Sequence, residues 1–151
     1  MSYLLDANVL IDAFRTDAPA YTANRDWLTR TLLGGETVYA PALVEVALLR
    51  ITTLLKLGPR AASPATAFAF LNALHAVPNY KRLELETGQF GGFEQTVQTL
   101  ALSGNDLNDA YLVALAQWHN LTLVTADAGF SRFKGNASKL RGSGGTEKVS
   151  R

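Results

Sequence analysis

A chain of 151 residues with 48% hydrophobic side chains is the size of one domain and carries enough apolar surface for one core. It has no cysteine and two histidines, His75 and His119, which excludes disulfides, thiolate metal sites and a histidine-rich zinc centre. A net charge of +1, from 14 basic and 13 acidic residues, names no partner by itself.

Any metal would need oxygen ligands, which points to magnesium or manganese. No apolar run approaches the roughly 18 residues of a membrane span. The opening Met-Ser-Tyr-Leu-Leu-Asp lacks the basic start and cleavage site of a secretory signal, so a cytoplasmic location is expected. From Arg132 onward, Arg132, Lys134, Lys139, Arg141, Lys148 and Arg151 face a single acid, Glu147. That distribution is compatible with phosphate contacts and equally with a solvated tail.

In chain order, Tyr3-Leu4-Leu5 reads as a short buried strand ending at Asp6, with a helix from Ala7 to about Phe14. Asp17-Ala18-Pro19 is a loop. Tyr21 to Leu33 is helical, with Trp27, Leu28, Thr31 and Leu32 on one face, and Gly34-Gly35 stops it. Thr37 to Ala40 is a second strand, and Pro41 opens an apolar helix expected to run to about Leu57, where Gly58-Pro59 breaks the chain. A helix from about Pro64 to His75 leads to a strand over Tyr80 to Leu85. Thr87 to Leu102 and Asp106 to His119 read as helices separated by Ser103-Gly104. Leu121 to Thr125 is the clearest strand, and a short edge strand is expected near Ala137 to Leu140. Strands separated by helices pair in parallel, which predicts a three-layer α/β/α domain with a central, mostly parallel sheet over residues 1–141. Residues 142–151, rich in glycine and serine, are expected to form a flexible tail.

In such sheets ligands bind beyond the carboxyl ends of the strands, and that rule selects the acids that matter. Asp6 ends the first strand and Asp127 follows the end of the Leu121–Thr125 strand by two residues; each would also serve as an ordinary cap or turn residue. Glu45 is wrapped in Pro41, Ala42, Val44, Val46, Leu48 and Leu49. A carboxylate without a solvated face needs a partner charge or a metal. Asp106 and Asp109 stand in the first turn of a helix, where acids suit the helix dipole and a metal site equally.

These stations carry a resemblance. Leu4-Leu5-Asp6-Ala7-Asn8-Val9-Leu10-Ile11, Glu45 on the helix after Pro41, Asp109-Ala110-Tyr111-Leu112, and Leu123-Val124-Thr125-Ala126-Asp127-Ala128-Gly129-Phe130 resemble, in order and spacing, the four acidic stations of PIN domains. Gly104-Asn105 and Phe130-Ser131-Arg132-Phe133 further resemble the VapC branch. Gly129 departs from the pattern, standing where many members carry another acid. The resemblance covers the chain to about Leu140. It implies a PIN-like fold and a metal-dependent endoribonuclease, the toxin of a type II toxin–antitoxin pair. It also implies Asp6, Glu45, Asp109 and Asp127 as catalytic and metal-binding residues for magnesium or manganese, with Asn8, Thr125 and Asp106 as accessories. RNA is the implied substrate, and a cognate antitoxin and a second copy of the chain are the implied partners. Carboxylates about 5 Å apart repel by roughly 3 kcal/mol per pair at an effective dielectric near 20, so such a set holds together around positive charge. A catalytically silent PIN-like binding module is the alternative. A phospho-acceptor domain of the haloacid-dehalogenase or receiver type fits less well, because Asn8 stands where the former wants a second aspartate and the latter's paired acid and lysine are missing.

Overall fold

The computed structural model describes residues 1–133, 139–142 and 147–149. Among the described residues, six strands are formed: β1 (Ser2–Leu5), β2 (Thr37–Ala40), β3 (Tyr80–Arg82), β4 (Thr122–Thr125), β5 (Lys139–Gly142) and β6 (Glu147–Val149). Their order across the sheet is β3-β2-β1-β4-β5-β6. All neighbours are parallel except β5 and β6. The expected edge strand over Ala137–Leu140 lies partly outside the described residues, and Lys139–Gly142 is the strand seen there. Most of the expected tail also lies outside them; its described portion, Glu147–Val149, pairs antiparallel with β5.

The helices are α1 (Ala7–Phe14), α2 (Tyr21–Leu33), α3 (Ala42–Thr52), α4 (Pro64–His75), α5 (Phe90–Thr99) and α6 (Asp106–His119). The chain moves one way from β1 through β2 to β3, then crosses back over β1 to β4. Right-handed crossovers therefore place α1–α4 on one face and α5–α6 on the other. The packing of α1 against α2 and α3, of α3 against α4, and of α5 against α6 follows that division. β1 and β4 lie innermost, with Leu4, Leu5 and Leu123 fully buried, as expected of strands covered on both faces. The reversal of strand order falls between β1 and β4, and their carboxyl ends make the topological switch point where open α/β sheets bind ligands.

Local chemistry sets most of the element ends. Ser63 caps α4 by accepting from the Thr66 amide at 3.1 Å, with Pro64 in the first turn. Gly35, at φ +80°, occupies the left-handed region that ends the α2 turn. Asn120 ends α6 in the same region, at φ 54°.

Three expected extents change. α3 stops at Thr52, not Leu57, where the hydroxyls of Thr52 and Thr53 donate to the carbonyls of Leu48 and Leu49 at 2.7 and 2.6 Å. Such back-bonding and the β-branched side chains weaken the helix, and the chain enters a 3₁₀ segment, Leu55–Arg60, that holds Gly58 at φ 56°. β3 ends at Arg82 because Glu84 turns away to accept from the Ala42 amide at the start of α3, at 2.7 Å. The expected helix over Thr87–Leu102 begins as a 3₁₀ turn, Thr87–Gln89, closed by a capping box between Glu86 and Gln89, and α5 follows.

Candidate active site

Asp6 caps α1 at the end of β1. Its Oδ1 accepts from the Ala7 amide at 2.7 Å and its Oδ2 from the Thr125 hydroxyl at 2.7 Å. The carboxyl is 7% exposed. Burial pushes its pKa from 3.8 up to about 6, against the two hydrogen bonds and with help from the charges of Asp109 and Asp127. An ordinary helix cap is hydrated and is not pressed by two like charges.

Thr125 ties the two innermost strands together at the switch point. While its hydroxyl donates to Asp6, its oxygen accepts from the Asp127 amide at 2.9 Å. Asp127 in turn accepts from the Gly129 amide at Oδ1, 2.7 Å away, forming a tight turn beyond β4. Asn8 is exposed in the first turn of α1.

Asp109 enters from the first turn of α6. It is half-buried; burial raises its pKa, the Arg132 guanidinium lowers it, and the charges of Asp127 and Asp106 add to the rise. Arg132 donates to Asp109 Oδ2 at 2.7 Å and reaches Asp106 Oδ1 at 3.3 Å. Asp106 therefore spends its carboxylate on Arg132 and caps nothing; the helix N-cap is Asn105, which makes no side-chain capping bond.

Glu45 has different company. On the first turn of α3 and 4% exposed, it accepts from His75 Nε2 at 2.7 Å, from the Tyr80 hydroxyl at 2.8 Å and from Arg82 at 2.5 Å. The burial of Tyr80, together with the charge of Glu45, holds the Tyr80 phenol in its protonated, donating form. The buried carboxylate has found its partners, and they come from β3 and α4. Three acids thus act on one another, Asp6, Asp109 and Asp127, while Glu45 sits on a basic set.

Two kinds of residue escaped the sequence reading. His75, Tyr80 and Arg82 were demanded in kind by the burial of Glu45, and strand order would have found them, because β3 adjoins β2 and α3 follows β2 directly. Arg132 lies within a motif quoted for its resemblance, but its reach to Asp109 over 23 positions has no sequence signal.

Among the described residues, no three acidic or histidine side chains are disposed to hold one ion jointly. The donors nonetheless fit a hard divalent cation. They are all oxygens, the desolvated Asp6 is pressed by like charges, and a cationic guanidinium already lies on Asp109.

Comparison with known proteins places the whole chain. The PIN domain family model matches residues 3–136. VapC ribonuclease Mb2897 of Mycobacterium bovis is 32% identical over 130 residues, covering 86% of this chain and 88% of that protein. Ribonuclease VapC31 of Mycobacterium tuberculosis is 32% identical over 131 residues, covering 87% and 92%. Among solved structures, VapBC2 from Rickettsia felis bound to a DNA fragment from their promoter matches with a TM-score of 0.64 at 19% identity, covering 94% of this chain and 98% of that one. VapBC-1 from nontypeable Haemophilus influenzae matches with a TM-score of 0.64 at 18% identity, covering 95% and 98%. These last two are likenesses of fold. An acidic switch point of this build and a family match spanning nearly the whole chain lead to one assignment: the chain belongs to the PIN-domain family and is similar to its VapC ribonucleases.

Proposed function

We propose that the chain is a divalent-metal-dependent endoribonuclease and the toxin of a type II toxin–antitoxin pair. The observation that supports the reading is that Asp6, buried at the switch point of the sheet, feels the charges of both Asp109 and Asp127. The VapC ribonucleases it resembles support RNA as substrate.

Asp6, Asp109 and Asp127 would hold magnesium or manganese, while Glu45, the fourth acid the resemblance implies, is set apart on its basic partners. When bound, such an ion supplies Lewis acidity to water and to the phosphodiester. The protein supplies placement. Thr125 holds the Asp6 side chain and the Asp127 turn with one hydroxyl, linking the acids that follow β1 and β4. Arg82, His75 and Tyr80 occupy the carboxyl oxygens of Glu45 in an otherwise apolar place. Glu84, pinned by the Tyr111 hydroxyl at 2.9 Å and the Ala42 amide, steadies the start of the helix that bears Glu45.

The solved structures of similar fold include toxin–antitoxin complexes, which supports an antitoxin as protein partner. An apolar groove of about 240 Å³ between α2 and α4, lined by Leu28, Leu32, Leu33, Phe70, Leu74 and Val77, is a surface such a partner would cover. A homodimer and a cytoplasmic location complete the proposal; no helix among the described residues is long and apolar enough to cross a membrane.

Induced expression followed by sequencing of cellular RNA ends tests the activity. Discrete new ends with the wild-type protein and none with Asp109→Asn support it; identical end profiles contradict it.

A further inference from the structure

The acidic centre already contains a cation of the chain's own. Arg132 lies in the short 3₁₀ segment after β4, Ala128–Phe133. Its guanidinium makes four contacts at once. One nitrogen donates to Asp109 Oδ2 at 2.7 Å and reaches Asp106 Oδ1 at 3.3 Å. Another donates to the Gly129 carbonyl at 2.6 Å. The guanidinium carbon stands 4.7 Å from the centre of the Phe133 ring, a side chain itself buried. An exposed arginine paired to a single acid samples many geometries; a fork held on three oxygens and a ring has one.

Gly129 makes the arrangement possible. A Cβ there would stand 2.8 Å from Arg132 Nη1 and 2.9 Å from Asp127 Oδ1, closer than real side chains approach. Without a side chain at 129, both the guanidinium and the Asp127 carboxylate crowd the same backbone.

We propose that Arg132 is the resident counter-ion of the aspartate centre, seated there because position 129 is glycine, and that a divalent ion must displace it from Asp109. The inference rests on the metal-dependent reading of the site and extends it, making Arg132 a positioning residue that sets how readily the site accepts its ion. Asp109 Oδ2 cannot face a guanidinium at 2.7 Å and coordinate an ion in the same direction. Binding is therefore an exchange of one cation for another, with the Arg132 fork, its Gly129 bond and its ring contact opposing the exchange.

The test uses the full-length protein and magnesium alone, with no RNA. Affinity is measured by calorimetry for the wild type, Arg132→Gln and Arg132→Lys, and the arginine side chains are followed in ¹H–¹⁵N spectra during the titration. Losing a charge-assisted contact on Asp109 should tighten magnesium binding about 10-fold in Arg132→Gln. Arg132→Lys, which keeps the charge but not the fork, should fall between. In the wild type, the Nε signal lost in Arg132→Lys should move to the position of a solvated arginine as magnesium saturates, a change that long-range repulsion alone would not produce. Equal or weaker binding by Arg132→Gln, or an unmoved signal at saturation, overturns the proposal and leaves the metal reading standing. If neither wild type nor Arg132→Gln binds magnesium, both fall.

Discussion

Asp6 carries an energetic load that an ordinary cap does not. Its folded pKa of about 6 lies above the unfolded value of 3.8, so the folded state takes up the proton first as pH falls. The destabilisation is absent below about 3.8 and complete above about 6, and the difference corresponds to about 3 kcal/mol. In chelator, the melting temperature should therefore fall between pH 4 and pH 6.5 more in the wild type than in Asp6→Asn. Parallel profiles for the two proteins would refute the assignment. Asp109 and Asp106 separate in the same way. Asp109 is half-buried among like charges, and Asp109→Asn should lower RNA cleavage by at least about 100-fold, as expected for loss of a metal ligand. The Asp106 side chain is 56% exposed and meets Arg132 at 3.3 Å. Asp106→Asn should cost well under about 1 kcal/mol, as exposed pairs do, and leave cleavage within a few-fold. Rate measurements and thermal melts on the two variants decide the order.

At the scale of elements, β3, α3 and α4 are joined through one carboxylate. Glu45 links Arg82 and Tyr80 of β3 to His75 of α4, and Glu84 returns just past β3 to cap α3. Glu45→Gln keeps the volume but removes the charge that Arg82 and His75 face. Both partners are about 45% exposed, so water screens them, and the expected loss is about 1–2 kcal/mol, short of the larger cost of a fully buried pair. A melt in chelator checks this; an unchanged or raised midpoint would mean that the basic partners do not govern Glu45. The alternation of strands and helices was legible because β1 and β4 hold short apolar runs, Tyr3-Leu4-Leu5 and Leu123-Val124, and the stops are glycine, proline or a capping serine. The end of α3 was not legible. An apolar stretch through Leu57 looks helical, and only the hydroxyl bonds of Thr52 and Thr53 reveal the break. Likewise Asp6 and Asp127 were legible as strand ends, and Glu45 as a buried charge. The identity of its partners depends on β3 lying beside β2, and sequence spacing does not encode that adjacency.

The whole molecule places two surfaces apart in kind, an acidic centre at the switch point and an apolar groove between α2 and α4. Leu33 is 84% exposed at the groove's rim, a costly position for a large apolar side chain unless another chain covers it. Leu33→Glu should weaken capture of the antitoxin by at least about 10-fold, since it places a charge in an apolar contact, while cleavage by the isolated toxin is unchanged. Equal capture by both proteins, read by co-purification and calorimetry, would move the partner to another face. The sheet topology bears most on the reaction itself, because a strand order that reverses between β1 and β4 brings Asp6, Asp109 and Asp127 within electrostatic reach of one another from distant parts of the chain. Their joint action with a divalent ion is tested most directly by the purified wild-type protein and Asp109→Asn on RNA, each with magnesium and with excess chelator. Cleavage by the wild type with magnesium alone, and by neither protein in chelator, is the predicted result; equal cleavage by the wild type in chelator would contradict it.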